Sequence, residues 1–164
     1  MKFGSFPIVI VDQFSFVMTF YTFEFPWRNL MTRNTLSSPV TENRLEGMQF
    51  IANFKNCSCD PIHLTQIDYL LERCVQEVEN SGLKTLANRF HQFEGSGVTG
   101  VILLAESHFA FHTWSEIRLV TFDLYVCNFL QDNTEKASKL HAAMKLFWNP
   151  LISEEHIISR GKLP

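Results

Sequence analysis

The sequence predicts an α+β fold, a two-layer sandwich in which an antiparallel sheet carries its helices on one face. Two patterns carry that expectation. Four runs rich in β-branched, aliphatic and aromatic residues follow one another through links so short that neighbouring strands must run antiparallel. Two segments of helical periodicity flank these runs, one before and one after, and each offers a single apolar stripe for burial against a sheet. At 164 residues the chain is long enough for one domain with a substantial core.

The first helix is expected from about Leu64 to Ser81, because Ile67, Leu70, Leu71, Cys74, Val75 and Val78 recur at intervals of three and four, and Gly82 provides a C-terminal stop. Strands follow over Thr85–Phe93, Val98–Leu104, Phe109–Trp114 and Leu119–Val126, with a turn at Glu94–Gly97. Thr134 is expected to cap a second helix whose apolar face carries Ala137, Leu140, Met144 and Phe147. Pro150 ends it, ahead of a short last strand around His156–Ser159. With one strand ahead of the first helix, the order is βα, four strands, αβ.

Composition narrows the function classes. A formal charge of -3, with no lysine or arginine run, gives no field for a phosphate backbone, so nucleic acid is not an expected partner. The cysteines, Cys57, Cys59, Cys74 and Cys127, lack the paired two-residue spacing of a zinc site or redox dithiol, so no metal is expected and a reducing, cytoplasmic setting fits. Cys74 falls on the helix stripe and reads as core, whereas Cys57 and Cys59 read as loop or edge residues. Residues 1–46 differ in character: Phe3, Phe6, Phe14, Phe16, Phe20, Phe23 and Phe25 crowd together, yet Asp12 and Glu24 interrupt any spanning segment and there is no secretory-signal pattern. This stretch is expected to be an N-terminal extension, or an upstream start, ahead of a domain over 47–164.

The most informative stretch is Gly97-Val98-Thr99-Gly100, then Ala105-Glu106-Ser107-His108, then His112-Thr113-Trp114, and finally Cys127 in Tyr125-Val126-Cys127-Asn128. Glu106 and Ser107 fall at the bend between two strands, so the peptide bond joining them is expected to be exposed and tightly turned. A hydroxyl, an imidazole and a thiol in this arrangement point to a chain that cuts itself.

These motifs resemble the short prokaryotic S-adenosylmethionine decarboxylases, which depend on a pyruvoyl group, and the resemblance runs from about Met48 to Trp148. Met48–Phe54 matches the family's first strand. The resemblance implies the same two-layer fold, a homodimer of cleaved protomers, and S-adenosylmethionine as substrate, decarboxylated to the aminopropyl donor for spermidine synthesis. It implies that the Ser107 hydroxyl attacks the Glu106 carbonyl, that the chain is cut between them, and that Ser107 becomes a pyruvoyl group whose ketone forms a Schiff base with the substrate amine. Glu106 is then left at the cut end. His112 matches the histidine that takes the Cα proton during elimination, a task suited to a neutral imidazole. Thr99 stands where the family usually has a serine whose hydroxyl holds the cyclic intermediate; it keeps the hydroxyl and adds a methyl that restricts its rotamer. Cys127 matches the thiol that reprotonates the substrate carbon.

For substrate binding, the resemblance implies Phe93 and Trp114 as aromatic faces for the adenine and sulfonium, Glu116 as acceptor for ribose or adenine, and His91 as a site-lining residue. The family's proline before that glutamate is Ser115 here, which leaves φ free at that position. Three other readings are compatible with the residues: the same pyruvoyl chemistry on a smaller amino acid such as ornithine or arginine, an unprocessed and inactive interaction subunit, and a cysteine hydrolase at Cys127, for which no oxyanion-hole signal is present.

Overall fold

The computed structural model describes residues 46–161, so the phenylalanine-rich segment, but for Glu46, lies outside the described residues. The elements run β1 (Gly47–Cys57), α1 (Ile62–Thr65), α2 (Ile67–Asn80), β2 (Thr85–Gln92), β3 (Val98–Leu104), β4 (Ser107–Trp114), a 3₁₀ turn (Ser115–Ile117), β5 (Leu119–Cys127), α3 (Thr134–Trp148) and β6 (Pro150–Arg160). The strands form one sheet in the order β2-β3-β4-β5-β1-β6, antiparallel throughout. This is the predicted α+β sandwich.

Side chains alternate across a strand, and in the four central strands one alternation is buried: Phe50, Ala52 and Phe54; Val98, Ile102 and Leu104; Phe109 and Phe111; Val120, Phe122, Leu124 and Val126. Both long helices cover that face. Helix α2 packs on β2 and β3 with Leu70, Cys74 and Val78, and α3 packs on β1 and β5 with Ala137, Leu140, Met144 and Trp148. Each fully buried phenylalanine contributes roughly 2 kcal/mol of hydrophobic stabilisation. Among the described residues no helix lies over the opposite face.

Five details depart from the sequence reading. The first helix starts at Ile67 because Gln66 is extended (φ -107°, ψ 105°), so Leu64 belongs to a separate turn, α1. Strand β4 begins at Ser107, not Phe109, since Leu104 pairs directly with Ser107 across a two-residue bend at Ala105 and Glu106. Strand β6 begins at Pro150 and runs for 11 residues. Ser153 and the two glutamates break the apolar pattern there, but Glu155 is satisfied by Lys145 at 2.5 Å and His141 at 2.9 Å on α3, and Glu154 by Lys55 at 2.5 Å on β1. Cys57 ends β1 and Cys59 lies in the loop after it, as expected for the latter, but both are buried, and burial, reinforced by Cys59, pushes the Cys57 thiol up to about 11. At the start of α3 the cap position is Asn133, and Thr134 is the first helical residue.

Thr113 ties the layers together from the middle of the core. Its hydroxyl donates to the Leu64 carbonyl at 2.7 Å and accepts from the Val98 N–H at 2.7 Å, joining β4, β3 and α1. The strands meet so closely there that a Cβ on Gly97 would lie 1.9 Å from the Thr113 carbonyl oxygen. Thr113→Val keeps the volume but strands two buried backbone groups; we expect a loss of about 3 kcal/mol in urea-monitored unfolding.

His141 is wedged among Phe50, Phe54 and Phe122, with ring centroids 5.3, 6.1 and 5.4 Å away. Burial holds its imidazole below the ordinary value of 6.5, against the pull of Glu155. Glu155 is itself held below its usual range: burial alone would raise it, but hydrogen bonds from Lys145 and Ser153 and the charge of His141 more than offset that. Below pH 6.5 the unfolded chain therefore binds a proton at His141 that the folded chain resists, and further down the same holds for Glu155. Stability should fall as pH is lowered from 7.5 to 5.5, with a shallower slope in His141→Gln, as read by Tm in thermal melts.

Candidate active site

The bend at Ala105 and Glu106 puts the Glu106–Ser107 peptide bond at the end of the β3–β4 hairpin. Ser107 has φ 105°, a conformation that L residues rarely adopt and that costs of order 1–3 kcal/mol when the surroundings enforce it. What enforces it is pairing on both sides: Ser107 lies opposite Leu104 on β3 and opposite Val126 on β5. One residue beyond that last pair, the Cys127 N–H donates to the Glu106 carbonyl oxygen at 3.3 Å. The carbonyl of the strained bond is thus polarised by the backbone of the residue carrying the half-exposed thiol.

Nearby groups hold this arrangement. The Glu106 carboxylate accepts from the Leu130 N–H at 3.1 Å, and the buried Asn133 donates to the Cys127 carbonyl at 3.0 Å. Asn128 accepts from the Asn133 N–H at 2.9 Å. A cleft of about 490 Å³ opens alongside, lined in part by Gly47, Met48, Asn128, Leu130 and Asp132. Asn128 and Asn133 were not singled out in the sequence as site-shaping residues, although an Asn-rich stretch after a strand is a recognisable loop-ordering pattern.

The other expected residues gather at the opposite end of the same strands. Thr99 pairs with His112 on β4 and with His91 on β2. His91 meets Phe93 edge-to-face with centroids 5.0 Å apart. Phe93 and Trp114 are both exposed, at 44% and 45%. Glu116, in the 3₁₀ turn after Trp114, accepts from the Ser96 hydroxyl at 2.9 Å and lies below its usual carboxylate range, through its own backbone N–H first and Ser96 next.

The structure therefore does not bring Ser107 and His112 together within one chain. They lie five residue steps apart along β4, or about 16 Å. Ser107, Glu106 and Cys127 form one group, and Thr99, His112, His91, Phe93, Trp114 and Glu116 form another. Ser96 and Arg118, which hold Glu116 and its turn in place, were missed at the sequence level because neither belongs to a motif; their roles emerge only from contacts between distant segments. Among the described residues there is no cluster of three or more metal-ligating side chains, and no helix is long and apolar enough to cross a membrane.

A family model described as S-adenosylmethionine decarboxylase matches residues 48–155. The S-adenosylmethionine decarboxylase proenzyme of Persephonella marina is 34% identical over 119 residues, covering 72% of this chain and 84% of the relative. That of Aquifex aeolicus is 35% identical over 118 residues, covering 70% and 81%. Among solved structures, the adenosylmethionine decarboxylase from Aquifex aeolicus superposes with a TM-score of 0.64 at 25% identity, covering 74% of this chain and 95% of that one.

The burial pattern separates the thiols. Cys57, Cys59 and Cys74 are buried and their thiols are pushed up chiefly by burial, whereas Cys127 is half-exposed beside the cleft. Brief alkylation of the native protein with iodoacetamide should modify Cys127 alone, and peptide mapping by mass spectrometry reads the site.

Proposed function

This chain belongs to the S-adenosylmethionine decarboxylase family, and we propose that it becomes an active enzyme by cutting itself between Glu106 and Ser107. It is a decarboxylase acting on S-adenosylmethionine. The observation that carries the self-processing reading is the Glu106–Ser107 bond itself: a hairpin bend, a hydroxyl residue at φ 105°, and a carbonyl that already accepts the Cys127 N–H at 3.3 Å. In the first step Ser107 Oγ bonds to the Glu106 carbonyl carbon, with the Cys127 N–H opposite the developing oxyanion. Collapse breaks the C–N bond, leaving an ester and a free amine on residue 107. Loss of the Cα proton then expels Glu106 as a carboxylate, and the dehydroalanine left behind tautomerises and loses ammonia to water.

The residues fit a pyruvoyl group at position 107. It would lie at the head of β4, across from Val126 on β5 and one residue in register from the half-exposed Cys127. Such a group supplies an electron sink for the carbon dioxide that leaves. In this reading Cys127 returns a proton to the substrate carbon, His112 takes the Cα proton during processing, Thr99 holds the cyclic intermediate, Phe93 and Trp114 face the adenine and sulfonium, Glu116 accepts from the ribose, and His91 lines the site.

The separation of the two residue groups supports a homodimer. Among the described residues both long helices lie on one side of the sheet, and Val101, Leu103, Trp114 and Ile158 stand exposed on the other at 42–50%. A two-fold pair packed through those faces would set the Ser107 and Cys127 end of one protomer against the Thr99 and His112 end of its partner, so each site draws on both chains. Within this reading the catalytic domain is 47–164, the setting is cytoplasmic, and the product is the aminopropyl donor for spermidine.

Intact-mass spectrometry tests the reading. Purified protein should appear as fragments 1–106 and 107–164, the second beginning with pyruvate, and Ser107→Ala should stay whole and lack decarboxylase activity. An intact, inactive wild-type chain would overturn self-processing in favour of an interaction subunit.

A further inference from the structure

The connection from β4 to β5 is built without either of the residues that ordinarily shape so tight a turn. Arg118 takes the left-handed conformation (φ 50°, ψ 45°) that glycine adopts most readily, and Ser115 leaves φ unconstrained where a proline would fix it. Something else must define the path of Trp114 and Glu116. The Arg118 guanidinium does this by reaching back to the β1–α1 turn, where Nε donates to the Cys57 carbonyl and Nη2 to the Cys59 carbonyl. The backbone closes the same junction, with the Cys57 N–H donating to the Arg118 carbonyl at 2.9 Å and the Arg118 N–H to Ser115 at 3.3 Å. Both accepting residues are buried, so the fork grips a fixed part of the core.

A second tether comes from the β2–β3 turn. Ser96 donates to Glu116 Oε2 at 2.9 Å, and Ser96 is itself fixed by its N–H to the Phe93 carbonyl at 3.3 Å and by Gln92 Nε2, which donates to the Ser96 carbonyl at 3.0 Å. Ser115 adds a longer contact, 3.4 Å, to the same Oε2. Both hydroxyls engage one carboxylate oxygen, so Oε1 is the oxygen this arrangement presents to a ligand.

We propose that Arg118 and Ser96 are positioning residues that aim the Glu116 carboxylate at a vicinal diol, and so set the enzyme's preference for a nucleoside-bearing substrate over a plain amino acid. The inference rests on the functional reading above and deepens it at Glu116. Arg118→Gly is the informative variant, because glycine accepts the backbone conformation while the latch is lost. Chain cleavage at Glu106–Ser107 and kcat should remain within twofold of wild type, while KM for S-adenosylmethionine rises about tenfold, equivalent to about 1.4 kcal/mol. Ser96→Ala should move KM in the same direction. In a Glu116→Gln background Arg118→Gly should add less than twofold, since its effect passes through that carboxylate.

An unchanged KM in both single variants, or a loss of kcat and Tm with KM unmoved, would overturn the positioning role while leaving the functional reading intact. An equal further rise of KM in the Glu116→Gln background would also overturn it. A wild-type chain that neither cuts itself nor decarboxylates S-adenosylmethionine would overturn the functional reading, and this inference with it.

Discussion

Pairing of β4 on both of its edges is the constraint from which the site follows. Because β3 and β5 bind it in fixed register, Ser107 faces Leu104 and Val126, and His112 faces Thr99 and Thr121. A slip of one residue would turn Phe109 and Phe111 out of the core, at several kcal/mol for the pair, so the register is strongly held. The same hydrogen bonds that keep those phenylalanines inside also force Ser107 into its positive φ. The positive φ of Ser107 is thus sustained by core burial some residues away.

Much of this was legible in the sequence because it depends on local pattern. The stripe Leu70, Cys74 and Val78 and the alternation Val120, Phe122, Leu124 and Val126 lie where period and burial require. The errors share a cause. Glu155 reads as a break in a strand, yet it is held by Lys145 and His141 from α3, and such pairing across layers leaves no trace in a window of sequence. The burial of Cys57 and Cys59 is likewise invisible in a window of sequence, because the turn around them closes only when the Arg118 side chain reaches their carbonyls.

The site shows the same division. The residue types and their spacing mark Ser107, His112 and Cys127 as chemistry-bearing, but strand spacing alone keeps Ser107 and His112 about 16 Å apart in one chain. A one-dimensional motif gives membership in a site, not co-location. Here the sheet distributes the members between its two ends, and symmetry is the simplest way to reunite them. Among the described residues, the face opposite the helices carries the exposed apolar side chains that the proposed pairing needs.

The strand order dictates how the two products of the proposed cleavage would be held. A break between Glu106 and Ser107 assigns β1, β2 and β3 to one polypeptide and β4, β5 and β6 to the other, so along the sheet the two pieces read first, first, second, second, first, second. Strand β1 is clasped between β5 and β6 of the other piece. The fragments are interleaved like the fingers of two hands, and pulling them apart requires three strand pairings to be broken, β3 with β4, β5 with β1 and β1 with β6. Dilution would separate them only through unfolding, and a chain once opened could reassemble only as a meeting of two strangers.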